Sequence, residues 1–399
     1  SWNVMPNKYL MKKKKVICPV YKGEDILSLT MKGVIVRDLD AGGKMPTSFD
    51  GYQRLEPGNL LMCLFDIDVT PRCIGLIKQE GLSSPAYSQF ELNDMGNAEY
   101  YCYYYTMLDN DKTLLHLAKN LRHSLTEDQL GAISVIVPPI QEQKKIADFL
   151  DAKCSEIDAL TADIQTQIDT LEQYKRSIIT EAVTKGLNSD VEMKDSGIFY
   201  MAPMNAKWRL TKIGYICTKL SRLFKPEDTA LICSNSGKVL VRADDVTGKM
   251  VSDDNAMQGI HAGDIAIHGM DTWHGAIALS DYDGKITRVV HVCDSTEDKR
   301  FIVYYLQYLA FQGVYKLISN GVRGNTSDFR SWDKVSDIWI AIPKTKEEQK
   351  NICDYLDRQC KSIEKVIAEK KEQLEVLDEY KKSLIYEYVT GKKEVPENA

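Results

Sequence analysis

The stretch PPIQEQKKIADFLD, residues 138–151, recurs in varied form as PKTKEEQKNICDYLD, residues 343–357. Shifting the chain by 206 positions aligns residues 142–184 with residues 348–390, and 19 of these 43 positions are identical. In front of the helical stretches, a shift of 205 aligns VRDLDAGGKM (36–45) with VRADDVTGKM (241–250). The chain therefore contains one long unit twice, each a mixed segment followed by a helical segment, which is unlike a solenoid of many short repeats.

The helical segments carry apolar residues at every seventh position, which is typical of a coiled coil. The predicted seam consists of Leu150, Ile157, Ile164, Leu171 and Ile178 in the first segment and Leu356, Ile363, Leu377 and Leu384 in the second. A neighbouring stripe consists of Leu160, Ile168, Tyr174, Ile352, Ile367, Leu374 and Tyr380, and Lys370 stands where the first segment has Ile164. Because these stripes would be exposed on isolated helices, we expect the two segments to pack against each other in antiparallel orientation.

The segments in front of the helices combine short β-like runs with Gly, Asp and Asn turns. The runs are KGVIVRDL (32–39), LLMCLF (60–65), KVLVRA (238–243) and DIAIHG (264–269), and helical stretches are predicted near residues 110–119 and 297–318. The predicted class is α+β, with two repeated α/β domains separated by two long antiparallel coiled-coil helices and internal pseudo-two-fold symmetry. The predicted boundaries are a domain at 1–138, a helical spacer at 139–187, a domain at 188–343 and a helical spacer at 344–399.

Composition excludes several classes of protein. With 399 residues the chain is too long for one compact core, and no apolar run is long enough to predict a transmembrane helix. The ten cysteines form no C-x-x-C pair, and we see no secretion signal, which together predict free thiols in a reducing cytoplasm rather than a zinc site. The net charge of −6 argues mildly against a simple nucleic-acid binder, which is usually basic.

Motifs for catalysis are mostly missing from the sequence. No phosphate loop, H-E-x-x-H or G-x-S-x-G is found. Asp264 followed by Asp283 and Lys285 loosely resembles a metal-dependent nuclease site, although Asp-Gly at 283–284 is also a preferred hairpin turn. His261, His268 and His274 match no common metal spacing, and we interpret them as loop histidines that touch solvent or a ligand. A coiled-coil scaffold for protein partners only is a further alternative.

The residues that we predict to contact DNA are basic or aromatic, and several occupy matched positions in the two halves. They are Lys12, Lys13, Lys14, Arg37, Lys44, Arg72, Lys78 and Arg122 in the first half, and Arg242, Lys249, Trp273, His274, Arg288, Arg323 and Arg330 in the second. Arg37 matches Arg242, and Arg122 matches Arg323. The alternative for each lysine is a solvated surface residue, and for each arginine a structural ion pair.

Taken together, these features resemble the specificity subunit of type I restriction–modification systems. In that family two target-recognition domains each precede a helix that opens with Pro-Pro, Glu-Gln, Ile and Leu-Asp, here PPIQEQKKIADFLD and, varied, PKTKEEQKNICDYLD. The family's weaker domain motifs are similar to NAKW (205–208) and AGDIA (262–266), and in the first half to SW (1–2) and PGNLL (57–61). Because DSGI (195–198) before Trp208 has no counterpart before Trp2, we expect that the native N-terminus is missing.

The resemblance implies a cytoplasmic, non-catalytic DNA reader with no metal, no cofactor and no membrane contact of its own. Each domain would read one half of an asymmetric, bipartite site in double-stranded DNA. The two helices would set the gap between the halves and dock two methyltransferase subunits. S-adenosylmethionine would bind to those subunits, while ATP and magnesium would bind to restriction subunits that join through them.

Overall fold

The computed structural model describes residues 2–40, 46–70, 72–118, 123–242, 256–319 and 328–397. The chain divides into two compact units: unit 1 comprises Ser1–Gln165 and Lys371–Ala399, and unit 2 comprises Thr166–Lys370. This division differs from the boundaries expected from the sequence, because each unit includes part of both helical segments. Among the described residues, no helix has a stretch both long and apolar enough to cross a membrane.

Unit 1 is a mixed α/β structure. Its described strands are β1 (Asn3–Pro6), β2 (Met11–Lys14), β3 (Leu27–Thr30), β4 (Gly33–Val36), β5 (Gln53–Leu55), β6 (Leu60–Met62), β7 (Ile74–Leu76), β8 (Gly81–Ser83), β9 (Ser88–Leu92) and β10 (Ser134–Val137). Its helices are α1 (Ala98–Asn110), α2 (Thr113–Leu117) and α3 (Glu127–Ala132), and the long helix α4 (Ile140–Thr184) follows β10. An antiparallel sheet has the order β2-β9-β6-β7, β1 pairs with β10, and the hairpin β3–β4 and the pair β5–β8 stand beside it.

Unit 2 contains matching elements. Its described strands are β11 (Met193–Lys194), β12 (Met204–Asn205), β13 (Arg209–Lys212), β14 (Cys217–Lys219), β15 (Ala230–Cys233), β16 (Val239–Val241), β17 (Met257–Ile260), β18 (Ile265–His268), β19 (Ile277–Leu279), β20 (Gly284–Thr287), β21 (Val290–Ser295) and β22 (Trp339–Ile342). Its helices are α5 (Ile213–Ile216), α6 (Lys299–Phe311), α7 (Val314–Leu317) and α8 (Trp332–Ser336), followed by the long helix α9 (Lys346–Val389). The order β14-β21-β18-β19 matches β2-β9-β6-β7, and β13 pairs with β22 as β1 pairs with β10.

The four predicted β-like runs contain β4, β6, β16 and β18, and the predicted second helical stretch contains α6 and α7. The first helical stretch, predicted near residues 110–119, contains α2, whereas the longer helix α1, Ala98–Asn110, was not predicted. The run EYYCYYYTM favours a strand by propensity, because tyrosine is enriched in strands. Here the side chain of Asn97 accepts the N–H of Tyr100 as an N-cap, and burial of the tyrosine rings stabilises the helix.

The glutamate of the repeated helix opening holds a tryptophan at the start of each domain. Trp2 donates its indole N–H to Glu142 at 2.9 Å in unit 1, and Trp208 donates to Glu348 at 2.9 Å in unit 2. A buried indole N–H needs such an acceptor, because an unpaired polar group is costly to bury. The opening of each long helix is therefore bonded to the tryptophan that directly precedes β1 in unit 1 and β13 in unit 2.

The glutamine that follows is fully buried in both units and links three backbone segments. Gln143 accepts the N–H of Asn97, which caps α1, at 2.7 Å, and donates to the carbonyl of Pro138 at 2.8 Å. Gln349 accepts the N–H of Asp298, which caps α6, at 2.9 Å, and donates to the carbonyl of Pro343 at 3.1 Å. The Glu-Gln pair of the signature thus fixes the long helix against the short one in each unit.

Inside each unit the two long helices pack in opposite directions. In unit 1, Phe149 of α4 contacts Tyr388 of α9 with ring centroids 4.6 Å apart, and further along α4 Asp158 pairs with Lys381 at 2.6 Å. In unit 2, Lys175 of α4 pairs with Glu364 of α9 at 2.5 Å. Along α4 the residue numbers of these contacts rise, while the numbers of their partners on α9 fall, so the two helices pack in antiparallel orientation.

The seam residues are largely buried between the helices and their domains. The buried ones are Leu150, Ile157, Ile164, Ile178, Leu356, Ile363 and Leu384, while Leu171 and Leu377 are partly buried. Lys370, at the imperfect seam position, donates to the side-chain oxygen of Gln167 on the facing helix. A polar partner there offsets the cost of placing an ammonium group beside a seam.

Candidate nucleic-acid interface

A loop in unit 2, residues 269–275 and here called the second loop, brings together three of the residues predicted to contact DNA. Trp273 donates its indole N–H to Ser319 at 3.3 Å, and Lys316 lies over its ring at 5.5 Å from the centroid. His274 is exposed beside it, and Arg330 reaches the sulfur of Met270 at 3.0 Å. The result is one surface with an aromatic face and several cations, groups that suit base and phosphate contacts.

The second loop is held by backbone bonds, by the buried His291 and by the partly buried His268. Phe329 donates its N–H to the carbonyl of Gly269 at 3.0 Å, and its own carbonyl lies 2.7 Å from Nε2 of His291. Burial lowers the pKa of His291, so the neutral ring donates from Nε2. His268 accepts the N–H of Asp271 at Nδ1, and burial lowers its pKa as well despite the nearby carboxylate, so this contact is not an ion pair.

The matching loop of unit 1, residues 63–70 and here called the first loop, has a similar anchor but different side chains. Ile67 donates its N–H to the carbonyl of His123, and Leu125 donates to that of Leu64 at 2.8 Å. The ring of His123 lies 3.0 Å from Asp68. Phe65 stacks on Tyr87 with centroids 6.1 Å apart. This surface is acidic and aromatic where the second loop is cationic and aromatic.

Two of the matched arginines occupy matching places in the fold. Arg37 follows β4 and donates its N–H to the carbonyl of Ile26 at 2.7 Å, while Arg242 follows β16 and donates to that of Ala230 at 2.9 Å. Each therefore leaves its sheet at the same position. Lys44, Arg122, Lys249 and Arg323 lie outside the described residues.

The lysine run of β2 is placed among carboxylates rather than on a uniformly basic surface. Lys12 lies 3.6 Å from Glu91, Lys13 pairs with Glu127, and Lys14 pairs with Glu56 at 2.6 Å and Glu91 at 3.3 Å. The hydrogen bonds that Lys14 donates to Glu56 and Glu91 raise the pKa of Lys14. DNA contact by these lysines stays a prediction, and only Lys12 remains mostly exposed in its pair.

The remaining predicted contacts are scattered. Arg72 donates to the side chain of Asn110 at 2.9 Å and pairs with the buried Asp109 at 3.4 Å, so it holds the end of α1. Arg288 is exposed but donates its Nε–H to the carbonyl of Met257 at 2.9 Å. Lys78 is exposed after β7. The structure does not bring these three to either loop cluster.

Three comparisons with known proteins agree. Residues 84–170, from the end of β8 into α4, match the family model described as the type I restriction modification DNA specificity domain. The putative type I restriction enzyme MjaX specificity subunit of Methanocaldococcus jannaschii is 24% identical over 293 residues, which cover 67% of this chain and 61% of the relative. The MjaVIII specificity subunit of the same organism is 26% identical over 283 residues, covering 65% and 62%.

Over these segments the chain is similar to type I specificity subunits. The resemblance predicted from the repeated helix opening is thereby confirmed. A solved structure, described as the structural basis underlying complex assembly and conformational transition of the type I R-M system, shares the fold with a TM-score of 0.67 at 13% identity, covering 97% of each chain. The chain spans about three fifths of the length of the two curated relatives.

The residues of the nuclease alternative have structural roles in this chain. Asp264 is buried and accepts both Nε–H and Nη2–H of Arg222, at 2.6 and 2.8 Å. Asp283 accepts the N–H of Ala262 at 2.8 Å, and Lys285 donates to the carbonyl of Pro226 at 2.6 Å. These bonds occupy the groups that a metal-dependent nuclease would need for its metal and its water.

The described cysteines are free and mostly buried, and burial raises the pKa of several thiols, to about 12 for Cys73 and about 11 for Cys102. Such thiols are poor nucleophiles and poor metal ligands at neutral pH. Among the described residues, no group of three or more His, Cys, Asp or Glu side chains has an arrangement that could hold a metal ion.

The two long helices carry a repeated exposed surface that the sequence pattern assigned to the inner stripe. Tyr174 and Tyr380, at matched positions, are 53% and 55% exposed. Leu160 and its match Val366 are 47% and 37% exposed. The sequence did contain a signal for this exposed surface, because the same residue, tyrosine, occupies both matched positions outside the seven-residue seam. Lys316 and Met270, which complete the cluster around Trp273, had no such signal, because only the fold brings them to the second loop.

Proposed function

We propose that this chain is the non-catalytic DNA-specificity subunit of a type I restriction–modification complex, and that its two units are copies of one target-recognition domain with pseudo-two-fold symmetry. Each unit reads one half of an asymmetric, bipartite site in double-stranded DNA. The observation that carries the proposal comes from comparing the two units. Their helix anchors are the same, residue for residue, whereas the exposed side chains of the first loop and the second loop differ. Copies with different readers suit two unlike half-sites.

The second loop reads through Trp273, His274 and Arg330. Arginine forks onto guanine or phosphate, and the rings contact base edges or sugars. The first loop has an exposed phenylalanine ring and carboxylates that suit cytosine amino groups and thymine methyls. The net charge of −6 fits a chain that supplies base contacts while its partners supply much of the phosphate contact.

The long helices serve as spacer and docking surface. At about 1.5 Å per residue, α4 and α9 are each roughly 65 Å long, and we propose that their length sets the gap between the half-sites. Near Leu160 and Tyr380, Asp158 pairs with Lys381, and near Val366 and Tyr174, Glu364 pairs with Lys175, so we propose that each of these two exposed pairs forms an apolar patch. A patch present twice in one chain fits two copies of one partner, and we propose the methyltransferase subunits.

The methyl donor S-adenosylmethionine then binds to the methyltransferase subunits, and ATP with magnesium binds to restriction subunits that join through them. The specificity subunit contributes position and sequence choice and no reacting group of its own.

Exchanging one domain tests the proposal. A chimera carries residues 188–343 from another family member, and the reverse chimera carries residues 1–138. Each is produced with the methyltransferase subunits in a host free of other methylation, and the methylated motifs are sequenced. We expect a bipartite motif in which each exchange alters one half only. A motif unchanged by both exchanges would exclude this chain as the reader.

Inserting seven residues into both α4 and α9 tests the spacer role separately. A heptad keeps the seam in register. We expect the same two half-sites at a changed separation in the sequenced motifs. An unaltered separation would contradict the spacer role and leave the reading role intact.

A further inference from the structure

Unit 1 contains a cleft at a place where described side chains of unit 2 make contacts with one another. A cavity of about 890 Å³ lies between the hairpin β3–β4, strand β7, helix α1 and the two long helices, and all of its lining belongs to unit 1. This volume is in the range of ordinary ligand-binding clefts.

In unit 2 the same place is filled by three side chains. Gln307 of α6 donates to the carbonyl of Ile277 at 2.7 Å and lies beside Gly237 of the β15–β16 turn. Phe311 lies under the guanidinium of Arg176 at 5.3 Å. Lys238, at the end of the turn, pairs with Glu364 of α9 at 2.7 Å.

A fourth side chain of unit 2, Arg300, joins α6 to α9. Its guanidinium donates to Asp354 at 2.8 Å and to Asp357 at 2.7 Å, and it also pairs with Asp298. The hydrogen bond from Arg300 lowers the pKa of Asp354. Tyr304 donates to the other oxygen of Asp357 at 2.7 Å, so both oxygens of that carboxylate are used.

The matched positions of unit 1 carry residues that cannot make these contacts. The capping residues Asn97 and Asp298 align α1 with α6, and Tyr103 bonds Asp151 at 2.6 Å as Tyr304 bonds Asp357. In this alignment Thr106 replaces Gln307, Asn110 replaces Phe311, and Glu99 replaces Arg300. Gly33 replaces Lys238, because each directly precedes one of the matched residues Val34 and Val239, which pair with Leu29 and Cys233 across their hairpins. All four replacements line the cavity.

The replacements leave carboxylates of the cleft without a cation. Oδ1 of Asp151 accepts the hydroxyl of Tyr103, and among the described residues neither its Oδ2 nor Glu99 forms an ion pair. Three cationic side chains of the lining are already paired: Arg72 with Asp109, Lys381 with Asp158, and Lys382 with Asp378. The other two lysines of the lining are exposed and do not lie on the helices: Lys32 is in the β3–β4 turn and Lys78 follows β7. The end of the cleft at Glu99 and Asp151 therefore has the charge that Arg300 neutralises in unit 2.

We propose that the cleft of unit 1 binds a segment of a partner protein that carries an arginine beside a large apolar side chain. The guanidinium lies between Glu99 and Asp151, where it replaces the missing counterpart of Arg300. The apolar side chain fills the space above Thr106 and Asn110 that Phe311 and Gln307 fill in unit 2. Because the counterpart in unit 2 is closed, this partner binds once per chain, in contrast to the repeated patches on the helices.

The tripeptide N-acetyl-Phe-Gly-Arg-amide serves as a probe, and its citrulline analogue, which has nearly the same shape and no charge, serves as the matched control. Binding to the purified full chain is followed by calorimetry. We expect one saturable site per chain, and binding of the citrulline peptide about ten-fold weaker, because charge-assisted bonds are the stronger ones. No saturation up to about 10 mM, or equal binding of both peptides, would overturn the proposal.

Two variants refill the cleft from inside. Glu99→Arg restores the cation of unit 2, and Thr106→Gln combined with Asn110→Phe restores its filling. Both are expected to abolish peptide binding while keeping or raising the thermal midpoint. The matched change Arg300→Lys in unit 2 is expected to leave peptide binding unchanged. Binding that persists in both refilled variants would place the peptide elsewhere and refute the site, whether or not the chain reads DNA.

Discussion

The first loop of unit 1 and the second loop of unit 2 occupy the same place in their folds, after β6 and after β18, and differ in almost every exposed side chain. Both are anchored by backbone N–H groups and carbonyls, at His123 and Leu125 in one and at Phe329 in the other. The first presents Phe65 and Asp68, whereas the second presents Trp273 and His274. Backbone bonds need no particular side chain, so the anchor can stay constant while the surface changes.

The helix anchor differs from the loops because it depends on side chains. Trp208, Glu348 and Gln349 in unit 2 repeat Trp2, Glu142 and Gln143 in unit 1, with closely similar hydrogen bonds. Each of these groups is buried or partly buried. Replacing one of them therefore leaves its hydrogen-bond partner buried and unpaired, which is costly. The comparison therefore separates a frame that tolerates little variation from loops that tolerate much.

The largest expected effect follows from removing the frame. Trp208→Ala removes a buried ring and leaves Glu348 without its hydrogen-bond donor. We expect the substitution to lower the free energy of unfolding of unit 2 by about 3–5 kcal/mol. Trp2→Ala should cost unit 1 less, because Trp2 is only partly buried. Hydrogen exchange of each unit measures both, with Trp208→Phe as the control that keeps the packing. If the two substitutions lowered the free energy of unfolding of their units equally, the different burial of Trp2 and Trp208 would not determine how much each anchor contributes.

Changes at the loop surfaces should be smaller and confined to one half-site. Arg330→Ala and Trp273→Ala should each weaken binding of the assembled complex by about 1–3 kcal/mol and relax the sequence at one half. Phe65→Ala should act on the other half only. Competition binding against DNA libraries that randomise each half measures this. If either variant relaxes both halves, the assignment of one loop to one half is wrong.

The repeated tyrosines test whether the two units dock the same partner. Tyr174→Ala and Tyr380→Ala should each weaken one methyltransferase subunit by about 1–2 kcal/mol, and the double variant should weaken both. Native mass spectrometry counts the subunits bound to each variant. Tyr→Phe at both positions is the control, because it keeps the ring. Full binding to the double alanine variant would show that the patches serve another purpose.

The smallest expected effect concerns the ion pairs between the helices. Burial raises the pKa of Glu364, but the bonds from Lys175 and Lys238 outweigh it and hold the pKa below its usual value. Its stabilising contribution is therefore present above the unfolded pKa, about 4.3, and is lost as the pH falls through the lower folded value. We expect Glu364→Gln to cost about 0.2–1 kcal/mol at pH 7 and nothing at acid pH. The thermal midpoint of unit 2 across pH measures this, and a difference that persists in acid would contradict the sign.

The sequence predicted the parts of this fold that rest on repetition and periodicity. The seven-residue pattern located α4 and α9, and alternating apolar runs located β4, β6, β16 and β18. It failed at α1, where tyrosines that favour strands are held in a helix by burial and by the Asn97 cap. It also placed Tyr174 and Tyr380 inside, because a helical pattern alone does not reveal which flank of a seam a domain covers.

The candidate site was predictable only in part. Trp273, His274 and Arg330 were chosen for their chemistry, and the fold places them together. Arg72 was chosen for the same reason, yet it holds Asp109 and Asn110 at the end of α1. Nothing local in the sequence distinguishes these arginines, since the difference lies in partners that are distant along the chain.

The two ends of the chain lie in the same unit, and this has a consequence for its synthesis. Tyr100 bonds the carbonyl of Val389 at 2.8 Å, and the ring of Trp2 covers Gly391, where a Cβ would come within 2.7 Å of it. Unit 2 needs only residues 166–370 and can fold while the ribosome is still translating. Unit 1, although translated first, is completed only when residues 371–399 emerge. Of these two units, the one translated earlier is therefore the later one to be completed.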